Sequence, residues 1–259
     1  AARLADWQLK AIREAKRHTR WTAPDPAYEQ ACRRAIDYLF GDAAAVPLRR
    51  ELTAAARVLD APGALNGLVQ CTLRLTVPGV PDLYQGGERW DLSLVDPDNR
   101  RPVDYALRRA GPPPGADPAA LLADYRSGAV KQWLIARLLQ ARKRHPALFA
   151  AGDYRPLAVH GRHAGHVLAF ARRHGDEHWL VVVPRLSAAL LDGEELPRIP
   201  AARWGDTAVE APGTDEASTW HELFTDTRHR QDGRGFALAS LLERWPLAVL
   251  RREPAAAAS

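Results

Sequence analysis

The sequence predicts an α+β fold, with a mainly helical part over residues 1–150 and an antiparallel β-sandwich over residues 151–259. Two observations lead to this prediction. Apolar residues recur every three to four positions through much of the first part, which is the period of an amphipathic helix. After residue 152 the pattern changes to short, often alternating segments separated by Gly, Pro and Asp-Gly turns, which is typical of antiparallel strands.

The first two helices have clear boundaries. Leu4 and Trp7 lie at helical spacing on one face, and the run breaks at residues 24–26 (Pro-Asp-Pro). Asp25 is placed to cap the second helix because its carboxylate can accept from backbone N–H groups of the first turn. Gly41 supplies a stop for that helix.

Three further helices are predicted from periodicity. One begins at Pro47 and ends near Pro62-Gly63, and the next covers residues 65–75. A strongly amphipathic helix covers residues 130–144 and ends at His145-Pro146. Between these helices lie a long stretch, residues 78–105, and a stiff Gly-Pro loop at residues 111–115.

The second part contains seven predicted strands. They are Tyr154–Val159, His166–Arg172, His178–Val183, Ala208–Ala211, Thr219–Thr225, Gly235–Ser240 and Pro246–Arg251. Asp192-Gly193 and Asp232-Gly233 are predicted tight turns. The Ala-rich tail after residue 253 is expected to fray, and the tryptophans at 179, 204, 220 and 245 are expected in the core or at its edge.

Composition excludes several classes of protein. The net charge is +5, but the arginines are scattered and no aromatic-interleaved basic motif occurs, so no nucleic-acid partner is expected. No apolar run approaches the roughly 20 residues of a membrane-spanning helix, so no membrane partner is expected. Cys32 and Cys71 form no CxxC pair, which favours a reducing, cytoplasmic location.

Residues 78–105 carry the candidate chemistry. A short apolar segment, Val80–Tyr84, follows Pro78-Gly79 and fits one strand of a parallel barrel, whose active site lies at the C-terminal ends of the strands. Carboxylates and arginines after it can accept from and donate to sugar hydroxyls, while Tyr84 and Trp90 offer flat apolar faces. The alternative, weighed equally, is a surface loop with ordinary acidic turns.

Two histidine features are ambiguous. His18 and Trp21 follow the first helix, where a basic cluster also simply complements the helix dipole. His160, His163 and His166 flank glycines in a predicted turn with no carboxylate or thiol nearby, so no metal site and no cofactor are expected.

The motif in this stretch resembles a known family. Residues 79–88 (Gly-Val-Pro-Asp-Leu-Tyr-Gln-Gly-Gly-Glu) are similar to the motif at the eighth barrel strand of the α-amylase superfamily, glycoside hydrolase family 13. Residues 90–105 and the helical segment 10–21 resemble the maltooligosyltrehalose synthases in particular. Two positions depart from the pattern, since Gly87 stands for a usual threonine and Arg89 for a usual apolar residue.

The resemblance implies both a fold and a reaction. Residues 1–150 become a helical insertion with the last strand and helix of a (β/α)8 barrel, ahead of the sandwich. The implied enzyme is a (1→4)-α-D-glucan 1-α-D-glucosylmutase of trehalose biosynthesis, which converts the reducing-end α-1,4 linkage of a maltooligosaccharide into α,α-1,1. The implied substrate-binding residues are His18, Trp21, Tyr84, Gln85, Glu88, Trp90, Asp91, Asp96, Asp98, Arg100 and Arg101.

No acid in the chain matches the family's catalytic motifs, so no catalytic residue is assigned. The sequence lacks methionine, and we expect a fragment, inactive alone, whose partner is the upstream part of the same polypeptide. The alternatives are another superfamily glycosidase, such as a maltooligosyltrehalose trehalohydrolase, or a non-catalytic glucan-binding module.

Overall fold

The computed structural model describes residues 1–211, 218–231 and 235–253. The predicted turn at Asp232-Gly233 and the predicted fraying of the tail lie outside these residues.

The α-helices are α1 (Ala2–Ala15), α2 (Pro26–Gly41), α3 (Val46–Thr76), α4 (Tyr105–Arg109), α5 (Pro118–Ala123), α6 (Ala129–Arg144), α7 (Pro146–Ala151), α8 (Ala188–Leu191) and α9 (Leu238–Leu241). The strands are β1 (Arg155–Pro156), β2 (Val159–His160), β3 (Val167–His174), β4 (Glu177–Pro184), β5 (Ala208–Val209), β6 (Thr219–Glu222), β7 (Arg228–Arg230), β8 (Phe236–Ala237) and β9 (Ala248–Arg252). The described chain is therefore mixed helix and sheet, as the α+β prediction requires.

The chain divides into two compact units. The first unit contains residues 1–58 and 91–105, and the second contains residues 59–90 and the described residues from 106 onward. The predicted boundary between domains at residues 150 and 151 stays a prediction.

The first two helices confirm their predicted boundaries. α1 ends at Ala15, and Lys16 follows in the left-handed conformation with φ 55°. The Asp25 carboxylate accepts from the backbone N–H of Tyr28 at 3.1 Å, which satisfies one of the free donors of the first turn of α2. α2 ends at Gly41, as predicted.

The middle of the helical part needs a correction. The sequence predicts two helices separated at Pro62-Gly63, whereas α3 runs without a break through both residues. Pro62 removes the donor for the Val58 carbonyl, but Val58 is 74 % exposed, so water can replace the lost bond. The buried face that begins at Ala61 keeps the following turns helical, because packing of an apolar face outweighs local propensity.

The second unit contains two antiparallel sheets. One sheet has the order β1-β3-β4-β9-β6-β7 and the other has the order β2-β5-β8. The first predicted strand is divided: β1 pairs with β3 and β2 pairs with β5, so this segment crosses from one sheet to the other. β7 was not predicted, because its sequence Arg-His-Arg carries no apolar residue. Antiparallel pairing is confirmed, while the sandwich arrangement stays a prediction.

The core of the second unit joins the helices to the sheets. α6 buries Trp133 and Leu138 against Trp245 and Phe224, with the two indole centroids 5.5 Å apart. All four tryptophans of the β part, at 179, 204, 220 and 245, are at most 3 % exposed. Their predicted place in the core is confirmed.

The predicted strand over Val80–Tyr84 is not formed within the described residues. A strand is stabilised by hydrogen bonds to a neighbouring strand, and no described segment pairs with this one. Val80 is 98 % exposed at this point. Among the residues that the structure describes, no helix is long and apolar enough to cross a membrane.

Candidate functional site

The candidate substrate-binding loop, residues 78–105, is divided between the two units after Trp90. Each half is therefore described within its own unit. The first half, residues 78–90, belongs with the core of the second unit. The second half, residues 91–105, belongs with α1 and α2.

Trp90 anchors the first half of the loop. Its indole Nε1 donates to the backbone oxygen of Tyr125 at 2.5 Å, and the Lys131 ammonium lies 5.4 Å from the ring centroid. The ring lies against α3 at Gly67, where a Cβ atom would be 2.8 Å from Trp90 Cζ3. At Gly128, whose φ is +75°, a Cβ atom would lie 2.9 Å from the Trp90 backbone nitrogen. The indole therefore fills a site that two glycines create.

Arg108 fixes the turn that precedes Trp90. Its Nε donates to Glu88 Oε2 at 3.2 Å, and a terminal nitrogen donates to the Gly86 carbonyl at 2.6 Å. Arg89 donates to Gln132 Oε1 at 2.9 Å. The aromatic ring of Tyr84, in contrast, is 67 % exposed. This half thus presents one free aromatic face on a turn held by arginines.

Gly87 permits the tight turn after Tyr84. Its N–H donates to the Tyr84 carbonyl at 2.9 Å, and a Cβ atom at residue 87 would lie 2.9 Å from the same oxygen. The threonine usual in the resembling family would crowd this carbonyl, so the departure at residue 87 accompanies a tighter turn.

Asp98 is the centre of the second half. Its carboxylate is almost wholly buried and accepts two hydrogen bonds from Arg3, at 2.6 and 2.7 Å, and one from the Leu94 backbone N–H at 2.8 Å. The Arg3 guanidinium holds the pKa of Asp98 well below its usual range. Arg101 adds a second positive charge at 3.4 Å and also donates to Ser93 Oγ. This carboxylate is ionised and oriented before any ligand arrives.

Asp96 forms a second ion-paired cluster. It pairs with Arg100 and with Lys10, whose ammonium lies 3.3 Å away, and the hydrogen bond from Arg100 chiefly lowers its pKa. Asp91 accepts from the backbone N–H of Ser93 at 3.0 Å and from its hydroxyl. The side chain of Arg100 is 74 % exposed, so its guanidinium can also reach a ligand.

His18 and Trp21 lie on a turn that a third ionic cluster holds. The His18 ring packs on Tyr28 at 4.8 Å between centroids, and Trp21 is 56 % exposed with Arg13 above its ring at 4.9 Å. Arg13 also forms two hydrogen bonds of 2.8 Å with Glu29. The bond from Arg13 is the main reason that the pKa of Glu29 falls to about 2.

The structure brings some predicted residues together and leaves others apart. Within the first unit, Asp91, Asp96, Asp98, Arg100 and Arg101 share one short segment. Their ion partners on α1, Arg3 and Lys10, were not predicted as part of the site, although their spacing of seven places them on one helix face. Tyr84, Gln85, Glu88 and Trp90 belong to the other unit.

The arrangement offers donors and acceptors suited to sugar hydroxyls rather than a reactive nucleophile. Paired carboxylates and arginines can each spare further hydrogen-bonding positions. No group of three or more potential metal ligands occurs within residues 1–211, 218–231 and 235–253. The substrate roles of the predicted residues stay predictions.

Comparison with known proteins adds independent information. No family model matches the chain. Curated proteins named "Putative maltooligosyl trehalose synthase" from two strains of Mycobacterium tuberculosis are 40% identical over 230 residues, which is 86% of this chain. The chain spans 27% of the length of these relatives.

Solved structures give the same similarity. The maltooligosyltrehalose synthase from Arthrobacter ramosus is 34% identical, with a TM-score of 0.71, over 97% of this chain and 30% of that one. A hypothetical maltooligosyl trehalose synthase from Sulfolobus tokodaii is 27% identical, with a TM-score of 0.66, over 96% of this chain and 29% of that one. The resemblance predicted from the loop motif is therefore confirmed, and it extends along most of the chain.

Proposed function

We propose that this chain is part of a maltooligosyltrehalose synthase, an intramolecular glucosyl transferase. The observation that carries the proposal is the 40% identity over 230 residues to curated proteins of that name. Because the chain spans 27% of their length, the proposed activity is that of a whole protein that includes this segment. In reaction terms it is a (1→4)-α-D-glucan 1-α-D-glucosylmutase acting on maltooligosaccharides.

The proposed architecture completes a barrel. Val80–Tyr84 is the last strand of a (β/α)8 barrel, residues 151–259 form the C-terminal sandwich, and upstream strands of the same polypeptide pair with this segment. The 98 % exposure of Val80 supports this, since a barrel strand shields such a residue with its neighbours. In a barrel, residues that follow a strand lie at the catalytic face.

The proposed chemistry retains the configuration at the anomeric carbon. Two upstream carboxyl groups about 5–5.5 Å apart act as nucleophile and acid/base. The released glucose must turn and attack through its own anomeric hydroxyl while water is excluded. The task left for this chain is to hold that glucose.

The ion-paired loop supports the holding role. Asp96 and Arg101 are locked by neighbouring charges, and the buried Asp98 carboxylate lies 3.4 Å from Arg101. The remaining lone pairs of Asp96 and N–H groups of Arg101 therefore point in fixed directions. Fixed groups lose little conformational entropy when a hydroxyl binds, which favours binding. Tyr84 offers an exposed ring for the C–H face of the sugar. A cytoplasmic location completes the proposal, and the free thiols of Cys32 and Cys71 support a reducing compartment.

The test uses the full-length parent and maltopentaose. Loss of reducing ends with little free glucose is expected, and this 259-residue chain alone is expected to be inactive. A rise in reducing ends would identify a hydrolase instead. Activity of the isolated chain would contradict the upstream position of the catalytic carboxylates, and maltooligosaccharide binding by residues 151–259 alone would favour a glucan-binding module.

A matched pair of variants tests the loop. Tyr84→Ala in the parent is expected to raise KM for maltopentaose several-fold, because the exposed ring no longer covers the sugar. Tyr38→Ala removes a similarly exposed tyrosine from α2, outside the loop, and is expected to leave KM unchanged. Equal effects of the two variants would remove Tyr84 from the proposed site.

A further inference from the structure

A row of three side chains crosses the large sheet in the second unit. Trp179 on β4 lies opposite Arg251 on β9, and Arg251 lies opposite His221 on β6. Residues directly opposite one another in an antiparallel sheet project to the same face. Trp179 is buried, so this row begins in the core and extends outward through a guanidinium and an imidazole.

Helix α6 covers this row with a polar stripe. Arg137, Gln140, Ala141 and Arg144 have the spacing i, i+3, i+4 and i+7, which places them on one face of the helix. Together with the sheet row they line a cavity of about 170 Å³. His145, Leu223 and Asp226 complete its wall. The cavity is distinct from the candidate substrate-binding loop, since it shares no residue with that loop.

The cavity has an excess of positive charge. Three guanidinium groups, of Arg137, Arg144 and Arg251, line it against the single carboxylate of Asp226. Asp226 is already shared, since its Oδ1 lies 3.3 Å from Arg137 and 3.1 Å from His221 Nε2. Within the described residues, Arg144 and Arg251 form no ion pair and no side-chain hydrogen bond. A second carboxylate, Glu177, lies behind the wall and contacts His145 Nδ1 at 2.9 Å and Trp179 Nε1 at 3.1 Å. Neither Asp226 nor Glu177 pairs with Arg144 or Arg251 within the described residues.

Arg137 is held rigidly in the wall of the cavity. One of its terminal nitrogens donates to the Leu223 carbonyl, which fixes the plane of the guanidinium. Its Nε is buried yet has no hydrogen-bond partner among the described residues. This nitrogen has almost no accessible surface, so Arg137 contributes its positive charge to the cavity rather than this donor.

We propose that this cavity binds a phosphate group, either as inorganic phosphate or as the phosphate of a small sugar phosphate. The forked donors of Arg144 and Arg251 match tetrahedral oxygens, and arginine binds such groups through paired N–H bonds. Gln140 adds a neutral donor on the same helix face. The site would let a phosphorylated metabolite contact α6 and the sheet at the same time.

The experiment titrates the full chain with inorganic phosphate, and separately with glucose 1-phosphate, by calorimetry at constant ionic strength. Saturable binding is expected, together with a shift of the Trp179 indole N–H signal in NMR spectra. Arg144→Gln/Arg251→Gln is expected to weaken binding by about tenfold or more, since each loses charge-assisted bonds. Arg155→Gln/Arg162→Gln, which removes two exposed arginines away from the cavity, is the control of equal charge.

The outcomes separate the two sources. Tighter binding of glucose 1-phosphate than of inorganic phosphate identifies a sugar phosphate, and the reverse identifies free phosphate. Binding of neither, or equal weakening in both double variants, overturns the proposal. Should the cavity variant prove misfolded by circular dichroism, Arg144→Lys/Arg251→Lys replaces it, because it keeps the charge and removes the fork. The proposal is also overturned if the lysine variant binds phosphate as tightly as the unaltered chain and phosphate does not shift the Trp179 indole N–H signal of the unaltered chain.

Discussion

The two units are stabilised by different interactions. The second unit buries a continuous apolar cluster that includes Phe170, Leu180, Trp220 and Leu250, each at most 1 % exposed. In the first unit, by contrast, ion pairs join residues 91–105 to α1 and join α1 to α2. Asp98 is the most deeply buried carboxylate of this unit. Apolar packing tolerates changes in salt and pH, while ion pairs do not.

This difference agrees with the proposed role of Asp96 and Arg101, in the first unit, in holding the sugar. A segment that meets a sugar needs polar groups in fixed positions. The buried Asp98 carboxylate pairs with Arg101, and Asp96 pairs with Arg100, so both arginines are held while their side chains stay exposed. A scaffold needs only close packing.

The largest effect is expected in the apolar cluster. Phe170→Ala removes a fully buried ring whose centroid lies 4.9 Å from that of Tyr154. The free energy of unfolding, measured with urea, should therefore fall by about 3–5 kcal/mol. The loss should be the same at low and high salt. Leu139→Ala on an exposed position of α6 is the control, with a loss of less than about 1 kcal/mol. A salt-dependent loss for Phe170→Ala would contradict the contrast between the units.

Lowering the pH should destabilise the first unit, and this effect is expected to be smaller. The folded pKa values of Asp98 and Glu29 are lowered, so their stabilisation is complete above the unfolded values of about 4 and is lost as pH falls through the folded values. The NMR signal of the Leu94 amide, which donates to Asp98, reports this titration directly.

Arg3→Met sharpens the acid experiment. It keeps an unbranched apolar stem and removes the charge, so the pKa of Asp98 should rise and the Leu94 signal should titrate at higher pH. Arg20→Met on an exposed position is the control. An unchanged titration in Arg3→Met would show that the Leu94 hydrogen bond and the charge of Arg101, rather than the Arg3 guanidinium, keep the pKa of Asp98 low.

Glu222 should make the stability of the second unit depend on pH. Burial raises the pKa of this carboxyl to about 7, although N–H groups of Phe224, Thr225 and Val249 and a hydroxyl donate to it. Its stabilisation is complete below about 4.3 and falls as pH rises through 7.

The matched variants of this carboxyl are Glu222→Gln and Glu210→Gln. Glu222→Gln should lower the free energy of unfolding by about 1 kcal/mol at pH 5, because the new amide N–H₂ faces a backbone N–H donor. Between pH 5 and pH 8 the stability of this variant should not change. The exposed Glu210→Gln should leave the pH dependence intact. A persisting decline in Glu222→Gln would assign the effect to another group.

The smallest effect concerns an exposed pair on α2. Arg33 and Asp37 lie one helical turn apart, 3.1 Å between nitrogen and oxygen, and both side chains are 54% exposed. Arg33→Gln should therefore cost about 0.3–0.5 kcal/mol, and added salt should remove the difference. A larger loss that persists in salt would mean that exposed pairs also stabilise the first unit.

Periodicity and turn residues were sufficient for the longer helices and strands other than α3. α1, α2 and α6 follow their predicted segments because each has an apolar face of helical period, and β3, β4 and β9 do so because each contains a short apolar run. The continuity of α3 through Pro62 was not predictable, since it depends on which carbonyl faces solvent. The division of β1 from β2 likewise depends on partners more than ten residues away.

The loop shows the same limit at the level of the site. Composition identified its carboxylates and arginines, but it gave no pairing, and Arg3 lies 95 residues from Asp98 in the chain. Trp90 was interpreted as an apolar face for a sugar, while the structure shows its contacts with Gly67, Lys131 and the Tyr125 carbonyl. Residue types thus indicate what chemistry is present, and only long-range packing decides which groups remain available.

The contact between Gly67 and Trp90 limits the order in which substitutions can accumulate. Glycine inside a helix is less favourable than alanine by about 1 kcal/mol, so α3 alone would favour Gly67→Ala. With the indole present, the new methyl group would lie 2.8 Å from its ring, and the same substitution becomes harmful. In a Trp90→Leu background it should become neutral or beneficial. The two positions therefore show sign epistasis, and a lineage can lose the glycine only after it has lost the tryptophan.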